Sequence, residues 1–277
     1  MKARTIKEVL RKKIDEWLAT VQDDRTRALL RDNVIVTGGA IASMLLKEPV
    51  NDFDVYFRTQ GAAAAAANLY VPEGQENAKV EVTEDRVRIV TKSGWRGATL
   101  GSLSSIDETY ETEEDRALAI GDAKYTPAFV STNAITLTGK VQLVLRFFGE
   151  PDEIHENYDF IHCTNYWTSH DNELVLRQPA LEALLARELR YVGSKYPLAS
   201  IIRLRKFIKR GWSINAGQIL KMVMQLNELD LTDPRVLEDQ LTGVDMAYFA
   251  EVMNKLSEKD PTKVNTAYLV EIIDRIF

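Results

Sequence analysis

Two aspartates stand two residues apart in the stretch Asp52-Phe53-Asp54-Val55. Side chains two apart leave a strand on the same side, so this spacing would project both carboxylates together while Phe53 and Val55 enter a core. Paired carboxylate oxygens suit a hard divalent cation such as magnesium. A solvated edge strand would carry the same spacing, but the apolar Phe53, Val55 and Phe57 favour a central one. Like charges there repel unless a cation neutralises them. Upstream, Gly38-Gly39 joins a strand-like run to a helix-like one. Glycines at such a turn let the backbone approach a bound group closely, and the amides opening the helix suit phosphate oxygens. Glycine there could equally serve the turn alone. A third acid, Asp159, sits in Tyr158-Asp159-Phe160-Ile161, which reads as another strand, although a strand-end acid would look the same. Beside the strand of Asp52 and Asp54 it would complete a cluster suited to two metal ions. One ion would activate a hydroxyl; the other would hold a triphosphate and its pyrophosphate leaving group.

The elements that must position these residues follow from periodicity. Ile6, Val9, Leu10, Ile14, Leu18 and Val21 recur at helical spacing over the first 30 residues. Asn33 to Thr37 is β-branched, Ala40 to Lys47 reads as a short helix ending before Pro49, and Phe53 to Phe57 alternates as a strand. The alanines Ala62 to Ala67 predict a helix over Gly61 to Tyr70. Lys79 to Val82 and Arg86 to Thr91 form a hairpin pattern; Ala128 to Val130, Ala134 to Thr138, Val141 to Phe147 and Tyr158 to Cys163 read as strands, and Pro151 to His155 as a helical turn. From Ala180 onward helices are expected over Ala180 to Val192, Leu198 to Arg210, Asn215 to Leu226, Val236 to Gln240, Asp245 to Leu256 and Thr266 to Phe277.

Composition narrows the class. A chain of 277 residues with 45% hydrophobic and 27% charged residues is neither disordered nor fibrous, and its length allows one large domain or two modest ones. No apolar run reaches the roughly 18 residues of a membrane span, and the charged start, Met1 to Lys13, is no secretory signal. The single cysteine, Cys163, excludes an intramolecular disulfide and fits a reducing, cytoplasmic setting. A net charge of −6 argues against indiscriminate nucleic-acid binding. The charge is uneven, however. Asp107, Glu108, Glu111, Glu113, Glu114, Asp115 and Asp122 outnumber Arg116 alone within Ser102 to Asp122, which reads as a lid, a partner surface or a disordered stretch inside an insertion or mobile lid over Ser93 to Lys124; Arg187 to Arg210 is strongly basic.

Thr37-Gly38-Gly39, twelve residues and then Asp52-Phe53-Asp54-Val55 resembles the signature of the DNA polymerase β-type nucleotidyltransferase superfamily, with Asp159 matching its third acid. The resemblance covers about residues 30–165 and is nearest to poly(A) polymerases and CCA-adding enzymes. Tyr158-Asp159-Phe160-Ile161-His162-Cys163 and Gly193-Ser194-Lys195-Tyr196-Pro197 also resemble a branch encoded by bacteriophages and bacteria. It implies that Asp52, Asp54 and Asp159 ligate Mg²⁺, or Mn²⁺ in its place, that Asp52 and Asp54 hold both ions, and that Asp159 helps deprotonate the attacking hydroxyl. Gly38 and Gly39 would sit against the β/γ phosphates, with Ser43 one helical turn on. The sequence departs from CCA-adding enzymes at Ala40-Ile41-Ala42-Ser43, where they carry a Val-Arg-Asp-like stretch, and it lacks a Glu-Asp-x-x-Arg motif.

In the basic helix, Arg203, Lys206 and Arg210 share one face. Arg203 and Lys206, with Lys195 in the preceding turn, are candidates for the triphosphate, and the helix over 198–210 for an RNA backbone; a solvated amphipathic helix fits the same pattern. His155, His162 and His170 lack zinc-site spacing. Tyr166 and Trp167 could stack on a base or pack a core. The expectation is therefore an α+β chain: an N-terminal helical segment (1–30), a palm-like mixed sheet with flanking helices (31–172, insertion about 61–125) and an all-helical C-terminal domain (173–277). Its expected activity is transfer of NMP from an NTP to a hydroxyl, an RNA 3′ end first, with no membrane partner. Protein adenylylation, or nucleotide binding without catalysis on the same fold, are the alternatives.

Overall fold

In a computed structural model of the chain, residues 1–71, 78–91, 97–98, 124–231, 233–241, 270–271 and 274 are described. The acidic Ser102 to Asp122 stretch and the helices expected at Asp245 to Leu256 and over nearly all of Thr266 to Phe277 lie outside them. The chain divides into two compact units, residues 1–155 with 163–177, and residues 156–162 with 178–277.

The first unit opens with α1 (Ala3–Leu18) and α2 (Asp24–Asn33). The periodic apolar residues of α1 become its buried face, Ile6, Leu10, Ile14, Trp17 and Leu18. α2 begins where Asp23 caps it, its carboxylate accepting from Thr26 N at 2.7 Å. Then come β1 (Val34–Thr37), α3 (Gly39–Leu46), β2 (Phe53–Phe57) and α4 (Gln60–Tyr70). Thr59 caps α4, and its alanines Ala62, Ala63, Ala66 and Ala67 are buried against the sheet, where only small side chains allow close approach. The hairpin of β3 (Ala78–Thr83) and β4 (Arg86–Thr91) forms a small sheet of its own. β5 (Gly97–Ala98), β6 (Pro127–Ser131), β7 (Ala134–Leu137) and β8 (Val141–Phe148) follow, then α5 (Pro151–His155), β9 (Tyr166–Thr168) and β10 (Glu173–Val175).

These strands make an eight-stranded mixed sheet in the order β10-β9-β1-β2-β8-β7-β6-β5. β2 is central, antiparallel to β1 and parallel to β8. Its alternation is legible: Phe53, Val55 and Phe57 join Val34, Val36, Leu143 and Leu145 in the main core with α1 and α4. Asp54, paired in register with Thr37, therefore stands on the opposite face.

The second unit holds α6 (Gln178–Ala186), β11 (Glu188–Leu189), α7 (Pro197–Lys209), β12 (Ser213–Ile214), α8 (Ala216–Leu226) and α9 (Pro234–Leu241). It is not all-helical. The helix expected over Ala180 to Val192 stops at Ala186, and β11 pairs in parallel with β12. Nor is Tyr158 to Cys163 a strand. Asp159 lies in a bend, Phe160 makes an isolated bridge to Tyr191, and Ile161–Cys163 is a 3₁₀ turn. The apolar run is buried for another reason: Phe160, His162, Phe207 and Trp212 pack ring against ring, His162 4.5 Å from Trp212 and 4.8 Å from Phe207. Among the described residues, no helix is long and apolar enough to cross a membrane.

Candidate nucleotide site

The first unit brings the Gly38-Gly39 turn and the two aspartates to one end of the sheet, because register sets Thr37, the residue before the turn, opposite Asp54. Asp54 is half-buried in β2 and Asp52, just before the strand, is exposed. The two glycines have different reasons to be there. Gly38 has φ 87° and ψ −150°, a conformation that disfavours any side chain. Gly39 is the first residue of α3, where any residue fits, and a Cβ built on it meets nothing within 4 Å. Among the described residues, neither backbone nor packing demands glycine at 39, and the space at its Cβ position is open. α3 has no side-chain cap, so its first-turn amides receive no capping oxygen from residue 38. The Gly38 amide itself points inward, donating to the Cys163 carbonyl at 3.1 Å. Ser43 is half-buried one turn further along α3.

The strands flanking β2 decide what else stands level with Asp54. On β1 it is Thr37, fully buried; on β8 it is Gln142, whose amide donates to Thr136 Oγ1 at 3.4 Å. Neither neighbour supplies a carboxylate. Asp159 belongs to the second unit, where its carboxylate accepts from Arg203 Nε at 2.7 Å. Two residues expected in separate roles, metal ligand and triphosphate clamp, are thus each other's partner. Among the described residues, no three His, Cys, Asp or Glu side chains gather where they could hold a metal ion. Asp52 and Asp54 stand two residues apart at this end of the sheet, the first exposed and the second half-buried; carboxylate oxygens of this kind are the type of donor magnesium takes, alongside water and phosphate oxygens.

In the second unit, Lys195 and Lys206 are exposed, as are Arg205, Lys209 and Arg210 on and after α7. Trp167 and Trp212 are buried, the former donating to Asn172 Oδ1 at 2.9 Å, so both are core residues. Tyr166 is half-buried beside His155, its ring 5.9 Å from the imidazole and 5.4 Å from the Arg177 guanidinium. Arg177 also pairs with Asp152. Burial lowers the His155 pKa to about 4; the Arg177 charge pushes the same way and Asp152 opposes it. Sequence reasoning missed the cluster that Thr37, His155 and Asn165 form under the turn. The available signal was a lone threonine ending the apolar Val34-Ile35-Val36 run, which does not name its partners.

The sequence profile of the Gabija anti-defense 2 family matches residues 8–187. The chain belongs to that family. Gabija anti-defense 2 of Bacillus phage SPbetaL7 is 22% identical over 228 residues, covering 82% of this chain and 45% of that protein. The chain thus spans less than half of that relative's length. Two CCA-adding enzymes are among the similar solved structures. The Thermotoga maritima enzyme complexed with tRNA is 12% identical with a TM-score of 0.40, covering 88% of this chain and 53% of its own. The Bacillus stearothermophilus enzyme in complex with CTP is 14% identical with a TM-score of 0.38, covering 82% and 48%.

Proposed function

We propose that this member of the Gabija anti-defense 2 family counters the Gabija defence as a nucleotidyltransferase, binding an NTP as its magnesium complex and transferring NMP to a hydroxyl. The observation that carries the reading is Gly39: among the described residues, a glycine with no conformational or packing reason, with open space at its Cβ position, at the start of α3 where no side chain caps. A phosphate group seated there would supply the reason. Asp52 and Asp54 at the same sheet end would hold the cation, which lends positive charge to the triphosphate. The acceptor oxygen bonds to the α-phosphorus as the α–β bridging bond breaks. Pyrophosphate leaves and the hydroxyl gives up its proton to a base. An RNA 3′ end is the first acceptor in this reading, since Arg205, Lys206, Lys209 and Arg210 offer exposed cations for a phosphate backbone; a protein hydroxyl is the second. The setting is the cytoplasm, where Cys163 stays reduced.

One observation favours a second reading, nucleotide binding without transfer: Asp159, the third acid of the resemblance, is engaged by Arg203. Label from each α-labelled NTP, followed into RNA, DNA and protein of a bacterial lysate, separates the two. Transfer that D54N abolishes supports the transferase and names the acceptor. NTP binding with no transfer under Mg²⁺ or Mn²⁺ supports the second reading, and absence of both defeats the site.

A further inference from the structure

The Gly38-Gly39 turn rests on a buried polar cluster contributed by three distant segments. Thr37, with no exposed surface, ends β1; its Oγ1 lies 2.8 Å from His155 Nε2, 3.0 Å from the Asn165 carbonyl and 3.2 Å from the Cys163 carbonyl. The Cys163 carbonyl also accepts the Gly38 amide, and the Asn165 side chain accepts from Arg177 N at 2.8 Å. Thr37 has one hydroxyl proton, and both carbonyls can only accept, so that proton must go to them. The contact with His155 then requires the imidazole to donate, which selects its Nε2–H tautomer. The directions then follow: His155 donates to Thr37, the single Thr37 proton is shared between the carbonyls of 165 and 163, and the Gly38 amide donates to the carbonyl of 163.

The geometry points to Thr37, oriented by His155, as the positioning residue that presets the Gly38-Gly39 turn for an anionic phosphate ligand. Thr37 and the Gly38 amide hold the same carbonyl. Locking that carbonyl keeps the Gly38 amide turned inward and leaves the amides opening α3, from Gly39 on, facing the open space. A preset turn binds anions without first being ordered, which is where such a buried cluster gains affinity. This inference rests on the nucleotide reading above and makes a claim of its own about the free protein.

The test is amide hydrogen exchange of the nucleotide-free chain, followed by Mg·ATP titration. T37V keeps the branched shape but removes the hydroxyl, T37S restores the hydroxyl, and H155Q offers a side-chain N–H in place of Nε2–H. In T37V, exchange at Gly38 and across the first turn of α3 should rise at least tenfold while β6 and β7 stay protected, and ATP affinity should fall tenfold or more. T37S and H155Q should remain within threefold of wild type on both. Exchange in T37V that is unchanged at Gly38, or raised equally throughout the sheet, overturns the proposal. If T37V does not fold, H155A against H155Q carries the same comparison, and equal behaviour of those two overturns it. A wild-type chain that fails to bind ATP removes the nucleotide reading, whereas the exchange result still decides what presets the turn.

Discussion

Arg203 Nε of α7 lies 2.7 Å from Asp159 Oδ2, with the carboxylate side chain 14% exposed and the arginine 34%. A charge-assisted bond this sheltered exceeds an ordinary surface pair, and removing the cation strands a half-buried carboxylate. R203A should therefore destabilise the protein by about 1–3 kcal/mol in urea unfolding, and D159N/R203A should cost less than the two single changes added together. Strict additivity would show that the pair contributes nothing.

Gly39 and Gly61 offer a matched comparison. A Cβ at either meets nothing within 4 Å, and both sit in the first turn of a helix, α3 and α4. Each Gly→Ala change should raise stability by about 0.4–1 kcal/mol through the unfolded chain. Only G39A should weaken nucleotide binding, because only there would the methyl enter the ligand's space. Binding that survives G39A intact would remove the main support for the site.

Metal and nucleotide should stabilise the chain together. With one magnesium held between Asp52, Asp54 and the phosphates, ATP at a hundred times its Kd with Mg²⁺ should add about 2.7 kcal/mol to folding stability. ATP with a chelator should add far less, and D54N should abolish the difference. A melting temperature indifferent to Mg²⁺ would argue that the carboxylates do not meet the ligand's cation.

His155 and His162 both titrate near 4 because burial disfavours their charged forms, against 6.5 for an exposed imidazole. A lowered folded-state pKa means that the unfolded chain binds more protons between those values. The stability from each histidine is thus complete above about pH 6.5 and is lost as pH falls toward 4. Urea midpoints should drop between pH 7 and pH 5, before most carboxylates titrate. H162F, an aromatic ring in an aromatic setting, should remove about half of that slope. An unchanged slope would mean that His162 is not held neutral.

Much of the scaffold was legible in the sequence because period reports burial. The alternation of Phe53 to Phe57 gave β2 its limits, the helical spacing of Ile6 to Leu18 gave α1 its buried face, and the polyalanine run gave α4. Gly38 was equally plain, since local backbone chemistry demands glycine at its positive φ; strand alternation accounts for Asp54 facing away from the core, but Asp52 precedes β2 and is not covered by it.

Where strands find their neighbours is a different matter. Tyr158 to Cys163 looked like a strand because any buried apolar run does, yet its partners are aromatic rings and Arg203, not a sheet. That Gln142 stands level with Asp54 follows from parallel pairing of β2 with β8, set by packing some ninety residues along the chain. The cluster of Thr37, His155 and Asn165 joins groups 118 and 128 residues apart. Local periodicity says which face of an element avoids water. Which polar atoms then meet on the other face depends on how whole elements pack, and only the tertiary structure decided that.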